Sequence, residues 1–430
     1  MSYYLSNKES IKKLSNEWRI NKVKYIFKVI SGSTPESNNM DYWDGDITWI
    51  TPADMSDFGT ISDGGRSITI QGYNSCGTTL VPKNSIVISN RAPIGKINLT
   101  EKELCTNQGC KCLVSNLQNN KYYYYLFYAL KDELISLGRG TTFKELSTYD
   151  LSNFRIIELP LNDQKSIVNF LDNKISKIDS VIVGLNKQIN ILYNYKKSII
   201  TEKIINTYKI EPNNNKYFNG IPKEYIKRFK DFFVTNTGLN ITKENLIDEG
   251  LDVISYGQIH SKTNKTTHIN DELIRFVDIK YSSNVKSFVN VGDMIFADTS
   301  EDLDGVGNCI LNDRNKKLYA GYHTIIASPK DKRYSKYLAY LFMTDSWRSQ
   351  LREIVNGVKV FSITQQILKN TKIILPPIDT INVITDYLDK ECERLDIMIE
   401  NKQKQIEKLE IYKQSLIYEY ATGKKRVKGD

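Results

Sequence analysis

The chain has 430 residues, with 59 Lys and Arg against 50 Asp and Glu, a formal net charge of +9. At roughly one domain per 150 residues this length gives two or three domains, and the positive balance favours an anionic partner such as nucleic acid. The polar opening MSYYLSNKES lacks the apolar core of a secretory signal. No apolar run approaches the ~18 residues of a membrane helix. The six scattered cysteines fit reduced thiols, so a cytoplasmic location away from membranes is expected.

Taken in chain order, residues 18–160 hold short β-like runs at Asp46–Thr51, Ser85–Ser89, Cys112–Ser115 and Phe154–Leu159, punctuated by Gly, Pro, Asn and Asp. One helical stretch, Tyr122–Leu137, precedes the last run. A long helix over 163–205 follows Pro160, roughly 65 Å at 1.5 Å per residue. Its apolar residues Leu171, Ile175, Ile178, Ile182, Leu185, Ile189, Leu192 and Ile199 recur at alternating intervals of four and three until Lys196 takes one slot. That is a heptad seam. From 222 to 376 the order repeats, with runs at Leu251–Ser255, Asp293–Ala297, Thr324–Ser328 and Lys372–Leu375 and a helical stretch at Ser335–Val355. A second long helix carries the seam Leu388, Cys392, Leu395, Ile399, Lys402, Ile406, Leu409 and Leu416.

The two helices are a repeat. LPLNDQKSIVNFLD at Leu159–Asp172 returns as PPIDTINVITDYLD at Pro376–Asp389. With Pro377 set against Pro160, an offset of 217, Leu171 falls on Leu388, Asp172 on Asp389, Asp179 on Asp396, and Tyr195-Lys196 on Tyr412-Lys413 without a gap. The chain reads as a tandem duplication of a domain plus a helix. The expected divisions are 1–160, a central helix 161–210, 211–376, and a C-terminal helix with a basic tail, 377–430. The fold class is α+β: two globular domains with twisted β-sheets, each followed by a long helix, the helices pairing as an antiparallel coiled coil. The alternative is that each helix packs on its own domain. The helices stayed alike while the globular faces diverged.

The ordered motifs resemble the specificity subunit of type I restriction–modification systems. In the first unit they are Glu17-Trp18, Ser31-Gly32-Ser33-Thr34-Pro35, Trp49-Ile50-Thr51-Pro52-Ala53-Asp54, Thr106-Asn107-Gln108-Gly109 and the Gly-rich turn near 138–142. The second has Ser255-Tyr256-Gly257-Gln258-Ile259 and Ala320-Gly321-Tyr322-His323-Thr324, but opens on Asn236-Thr237-Gly238 in place of the Gly-x-Thr-Pro motif. The resemblance implies a DNA-recognition subunit without catalysis of its own, whose two target-recognition domains read the halves of a split double-stranded DNA site. Its helices then fix the unread spacer and dock two methyltransferase subunits and, through these, the restriction and translocase subunits. S-adenosylmethionine, ATP and Mg would sit on those partners and none on this chain.

The residues agree with that division of labour. No phosphate loop or dinucleotide fingerprint is present. Cys105, Cys110 and Cys112 lack zinc-knuckle spacing, and the acidic run from Asp298 to Asp304 reads as a solvated loop, so no metal is expected. Candidate DNA contacts are basic, amide, hydroxyl and aromatic side chains in loops. They are Ser33, Thr34, Arg91, Lys96, Asn107, Gln108, Arg139, Thr141, Thr142 and Lys144 in the first unit, and Tyr256, Gln258, His260, Lys262, Tyr322, His323, Asn356 and Lys359 in the second. The rival reading is a coiled-coil scaffold with two protein- or carbohydrate-binding domains.

Overall fold

A computed structural model describes residues 18–115, 117–140, 144–209, 215–260, 269–355 and 360–427. The chain divides into two compact units, one of residues 1–185 with 404–430 and one of residues 186–403. Each long helix therefore contributes to both.

In the first unit Arg19–Lys22 pairs antiparallel with Arg155–Glu158, so the opening strand is tied to the strand that leads into the long helix. Between them lies a five-stranded sheet in the order Lys28–Ser31, Cys110–Val114, Ile86–Ser89, Ile97–Thr100, Phe58–Ile61. A three-stranded sheet places Trp43–Ile50 between Arg66–Ile68 and Cys105–Thr106. The run Ile86–Ser89 is buried along its whole length and rich in Ile and Val, as a strand covered on both faces requires.

The second unit repeats this plan. Ile226–Arg228 pairs with Lys372–Ile374. A four-stranded antiparallel sheet runs Phe233–Thr237, Thr324–Pro329, Met294–Ala297, Cys309–Leu311. A five-stranded sheet centres on Leu251–Ile254, which pairs parallel with Leu318–Ala320 as Trp43–Ile50 pairs parallel with Cys105–Thr106. Each domain is thus built from several small sheets.

The helical stretch ahead of the last strand is broken in both units. Tyr122–Leu137 becomes Asn120–Ala129 and Lys131–Ser136, and Ser335–Val355 becomes Ser335–Met343 and Asp345–Arg352. At the second break Thr344 takes extended backbone and its hydroxyl accepts from Trp347 N, starting a new helix.

The long helices run Leu161–Ile204 and Ile378–Ala421. They pair antiparallel, numbers rising along one as they fall along the other. In the first unit Phe170 packs on Tyr420 and Asp179 bonds Lys413; in the second Gln188 bonds Lys402 and Asp396 bonds Lys196. Packing on the domains occurs as well. Leu171, Ile175 and Ile178 share a core with Tyr122–Phe127 and with Leu416, Ile417 and Ala421 of the other helix. Leu388, Cys392 and Leu395 share one with Tyr337–Phe342 and Ile199, Ile200 and Ile204. The two packings expected as alternatives coexist, because the same apolar residues of each helix share one core with the other helix and with a domain. Leu185, Ile189 and Ile399 are buried in the seam, whereas Ile182, Leu192, Ile406 and Leu409 are half-buried.

Each domain is latched to a helix by the same device. Asp172 accepts from Lys121 Nζ at 2.7 Å and Tyr125 OH at 2.6 Å. Asp389, its repeat, accepts from Lys336 Nζ and from Tyr340 OH at 2.7 Å.

Candidate nucleic-acid interface

The loops of interest gather at the sheet ends in each unit. In the first, the chain leaves Lys28–Ser31 through Gly32, where a Cβ would lie 2.1 Å from Thr106 O, so only glycine fits. Ser33 N donates to Thr106 O and Ser33 O accepts from Trp49 Nε1. The next residue, Thr34, donates its hydroxyl to Gln108 Oε1 at 2.6 Å, which orients the exposed amide. Asn107 is turned inward: its N donates to Ile50 O and its Oδ1 accepts from Gly109 N. Thr51 and Asp54 build a tight turn, with Asp54 Oδ2 2.7 Å from Thr51 N.

Around this loop pair stand the cations. Lys96 is spent internally, its Nζ 2.7 Å from Pro52 O. Arg139 bridges Glu145 through its backbone and pairs with Asp150 at 2.8 Å, its side chain 78% exposed. Lys144 is exposed beside it. Arg91 is half-exposed and no described residue hydrogen-bonds or pairs with it. Lys111 was not among the candidates, yet its Nζ reaches Ser31 Oγ at 3.0 Å, and burial holds its ammonium below the usual lysine range. A lysine between two cysteines in an apolar run, Cys110-Lys111-Cys112, was the available signal.

In the second unit Gly238 takes the place of Gly32: a Cβ there would meet Gly321 O at 1.9 Å. The motif is lost but the close approach that demands glycine is kept. Gln258 is an internal brace, its Oε1 accepting from Ser255 N at 3.0 Å in a capping box. His260 is likewise spent, with Nε2 2.7 Å from Thr299 O and Nδ1 3.0 Å from Asn308 Nδ2. What faces outward is an aromatic group: Tyr256 packs edge-on against Tyr322 at 5.6 Å and His323 at 5.5 Å. His323 Nδ1 lies 3.2 Å from Asp298 Oδ1. Sequence reading missed Asp298 and Asn308 as the groups that orient the histidines. Thr141, Thr142, Lys262, Asn356 and Lys359 lie outside the described residues.

Among the described residues no cluster of three metal-ligating side chains occurs. In the acidic run Asp298 is engaged by Thr299 and His323, and Asp302 Oδ1 accepts from Gly305 N. No described helix is long and apolar enough to cross a membrane.

The family described as type I restriction modification DNA specificity domain matches residues 15–191 and 222–410, one copy on each half of the repeat. The chain belongs to this family. It is therefore a type I restriction–modification specificity protein, a class concerned with recognising DNA targets. It is 27% identical over 433 residues to the MjaIX specificity subunit of Methanocaldococcus jannaschii, covering 97% of this chain and 95% of that one. It is 26% identical over 319 residues to the MjaVIII specificity subunit of the same organism, covering 71% and 70%. A chain solved in work on complex assembly and conformational transition of the type I R-M system superposes with a TM-score of 0.61 at 14% identity, covering 95% of this chain and 98% of that one. That likeness is one of fold.

Proposed function

We propose that this chain reads a two-part DNA target with a fixed unread spacer and carries methyltransferase subunits to it. The observation behind this reading is that two domains are latched identically, by Asp172 and by Asp389, while their outward loops differ in kind. An identical frame with dissimilar mouths fits two readers of two sequences. The first mouth is polar, with Thr34, Gln108 and Arg91; the second is aromatic, with Tyr256, Tyr322 and His323. Amide and guanidinium groups suit base edges, and Ser33, Arg139 and Lys144 suit phosphates.

Two reading modules on one face of a duplex belong about one helical turn apart, roughly 34–36 Å. Paired helices suit that role better than a flexible linker, which would blur the spacing. Their outward faces are the dock for two methyltransferase subunits, and these in turn for the restriction and translocase subunits. S-adenosylmethionine, ATP and Mg belong to those partners, and no catalytic step is assigned to this chain.

The test is co-purification with the neighbouring methyltransferase gene product, followed by DNA binding across a salt series. A stable complex whose affinity falls steeply with salt supports the reading. A protein that forms no such complex and binds DNA at no salt concentration fits the scaffold instead.

A further inference from the structure

We propose that His323 is a specificity-determining residue of the second unit, a hydrogen-bond acceptor that selects a base with an exocyclic amino group, adenine or cytosine, at one position of its half-site. This rests on the DNA-reading function proposed above.

Three observations carry it. First, the partner of Nδ1 fixes the tautomer. Asp298 Oδ1 lies 3.2 Å from His323 Nδ1 and also accepts from Thr299 Oγ1 at 2.7 Å. The Thr299 hydroxyl lies 3.5 Å from the same ring nitrogen. An ionised carboxylate can only accept, so Nδ1 carries the proton, and in the neutral imidazole form the lone pair is then at Nε2. No described residue bonds Nε2, and the side chain is 59% exposed. His260, by contrast, has both ring nitrogens occupied.

Second, the backbone is held in an unfavourable conformation. His323 has φ +55°, the left-handed region that few residues other than glycine adopt. Such conformations persist where the surroundings enforce them and cluster at functional sites. Tyr256 at 5.5 Å and 80°, and Tyr322 at 6.1 Å and 79°, hold the ring edge-on.

Third, the two units share the backbone contact at this position but not its side chain. Asp298 N donates to His323 O at 3.1 Å, as Asn90 N donates to Gly109 O at 2.9 Å. One unit places a glycine where the other places an oriented imidazole. The frame needs only the carbonyl, which leaves the side chain for the ligand.

A bare acceptor has a defined match. Phosphate oxygens cannot donate to it. In the major groove adenine N6 and cytosine N4 donate, whereas guanine N7 and O6 and thymine O4 accept.

The experiment maps methylated adenines after co-expression of the full chain with its methyltransferase, for wild type, His323→Gly and Asp298→Asn. Glycine tolerates φ +55° and removes only the ring. Asparagine can donate to Nδ1, which moves the ring proton to Nε2 and turns the acceptor into a donor. Wild type should show adenine or cytosine at one position of one half-site. His323→Gly should raise methylation of sites with other bases there by about tenfold, the other half unchanged. Asp298→Asn should admit guanine or thymine at the same position. A motif unchanged in both variants, or a uniform loss at every sequence, overturns the proposal while leaving the two-reader function intact. A wild type that yields no split motif overturns both.

Discussion

Lys196 Nζ lies 2.8 and 2.7 Å from the two carboxylate oxygens of Asp396, with the lysine side chain only 5% exposed in the seam between the long helices. The repeat offset carries this pair onto Lys413 and Asp179, which meet at 2.7 Å in the other unit. Each helix thus supplies the lysine of one contact and the aspartate of the other. A charged residue in a heptad seam gives up stability and fixes which residues face each other.

The pairs should differ in energy because they differ in burial. Lys196→Met leaves Asp396, 26% exposed, without its cation, and should destabilise the second unit by about 2–4 kcal/mol. Lys413→Met leaves an aspartate that is 47% exposed and should change stability by less than about 1 kcal/mol. Chemical denaturation with unit-resolved hydrogen exchange measures both, and equal losses would contradict the ranking.

Removing the helix latch should loosen one domain and leave the other. Asp172→Ala strips the acceptor from Lys121 and Tyr125, at about 1–3 kcal/mol for a buried phenol left without a partner. Faster amide exchange is expected in Asn120–Ala129 and in the helix around Asp172. Asp389→Ala should act in the same way on Ser335–Met343.

Stability should fall at high pH. Burial, and then the Asp172 carboxylate, pushes the Tyr125 phenol far above the usual tyrosine range, and burial does the same to Tyr123, Tyr124 and Tyr337. Burial also raises the Cys105 and Cys392 thiols to about 11. Unfolded thiols and phenols release protons near pH ~8.5 and ~10. Above those values the unfolded state binds fewer protons than the native one, so stability declines as pH rises. The contribution is fully present below about pH 8.5. Denaturation midpoints should drop progressively from pH 9 to 11, and a flat profile would contradict the burial of these groups.

Much of the frame was legible because its signals are local. The heptad spacing from Leu171 to Ile199 and the gapless register of the repeat need only the chain itself, and apolar runs such as Ile86–Ser89 emerged as strands. The helix break at Thr344 was not legible, because it is set by one hydroxyl capping Trp347 N. Neither was the difference between His260 and His323. Both are lone histidines in loops, and only the tertiary partners, Asn308 and Thr299 for one and Asp298 for the other, separate a fastener from an open acceptor. Gln258 and Lys96 looked like contact residues for the same reason: polar side chains spent inside a fold read the same as free ones.

In the first unit, Thr34→Val removes the hydroxyl that orients Gln108. The amide then rotates freely, and discrimination at the base it reads should fall by about fivefold, within the cost of one mismatched contact. Only one half of the methylation motif should change, and it should not be the half altered by His323→Gly. Changes in both halves would mean that the two mouths are not separate readers.

The most direct measurement is the methylated-adenine map of a host co-expressing this chain and its methyltransferase. Two short defined halves around a constant number of unspecified bases is the predicted result. A single contiguous motif, or a spacer of variable length, would contradict the account of two readers held by one pair of helices.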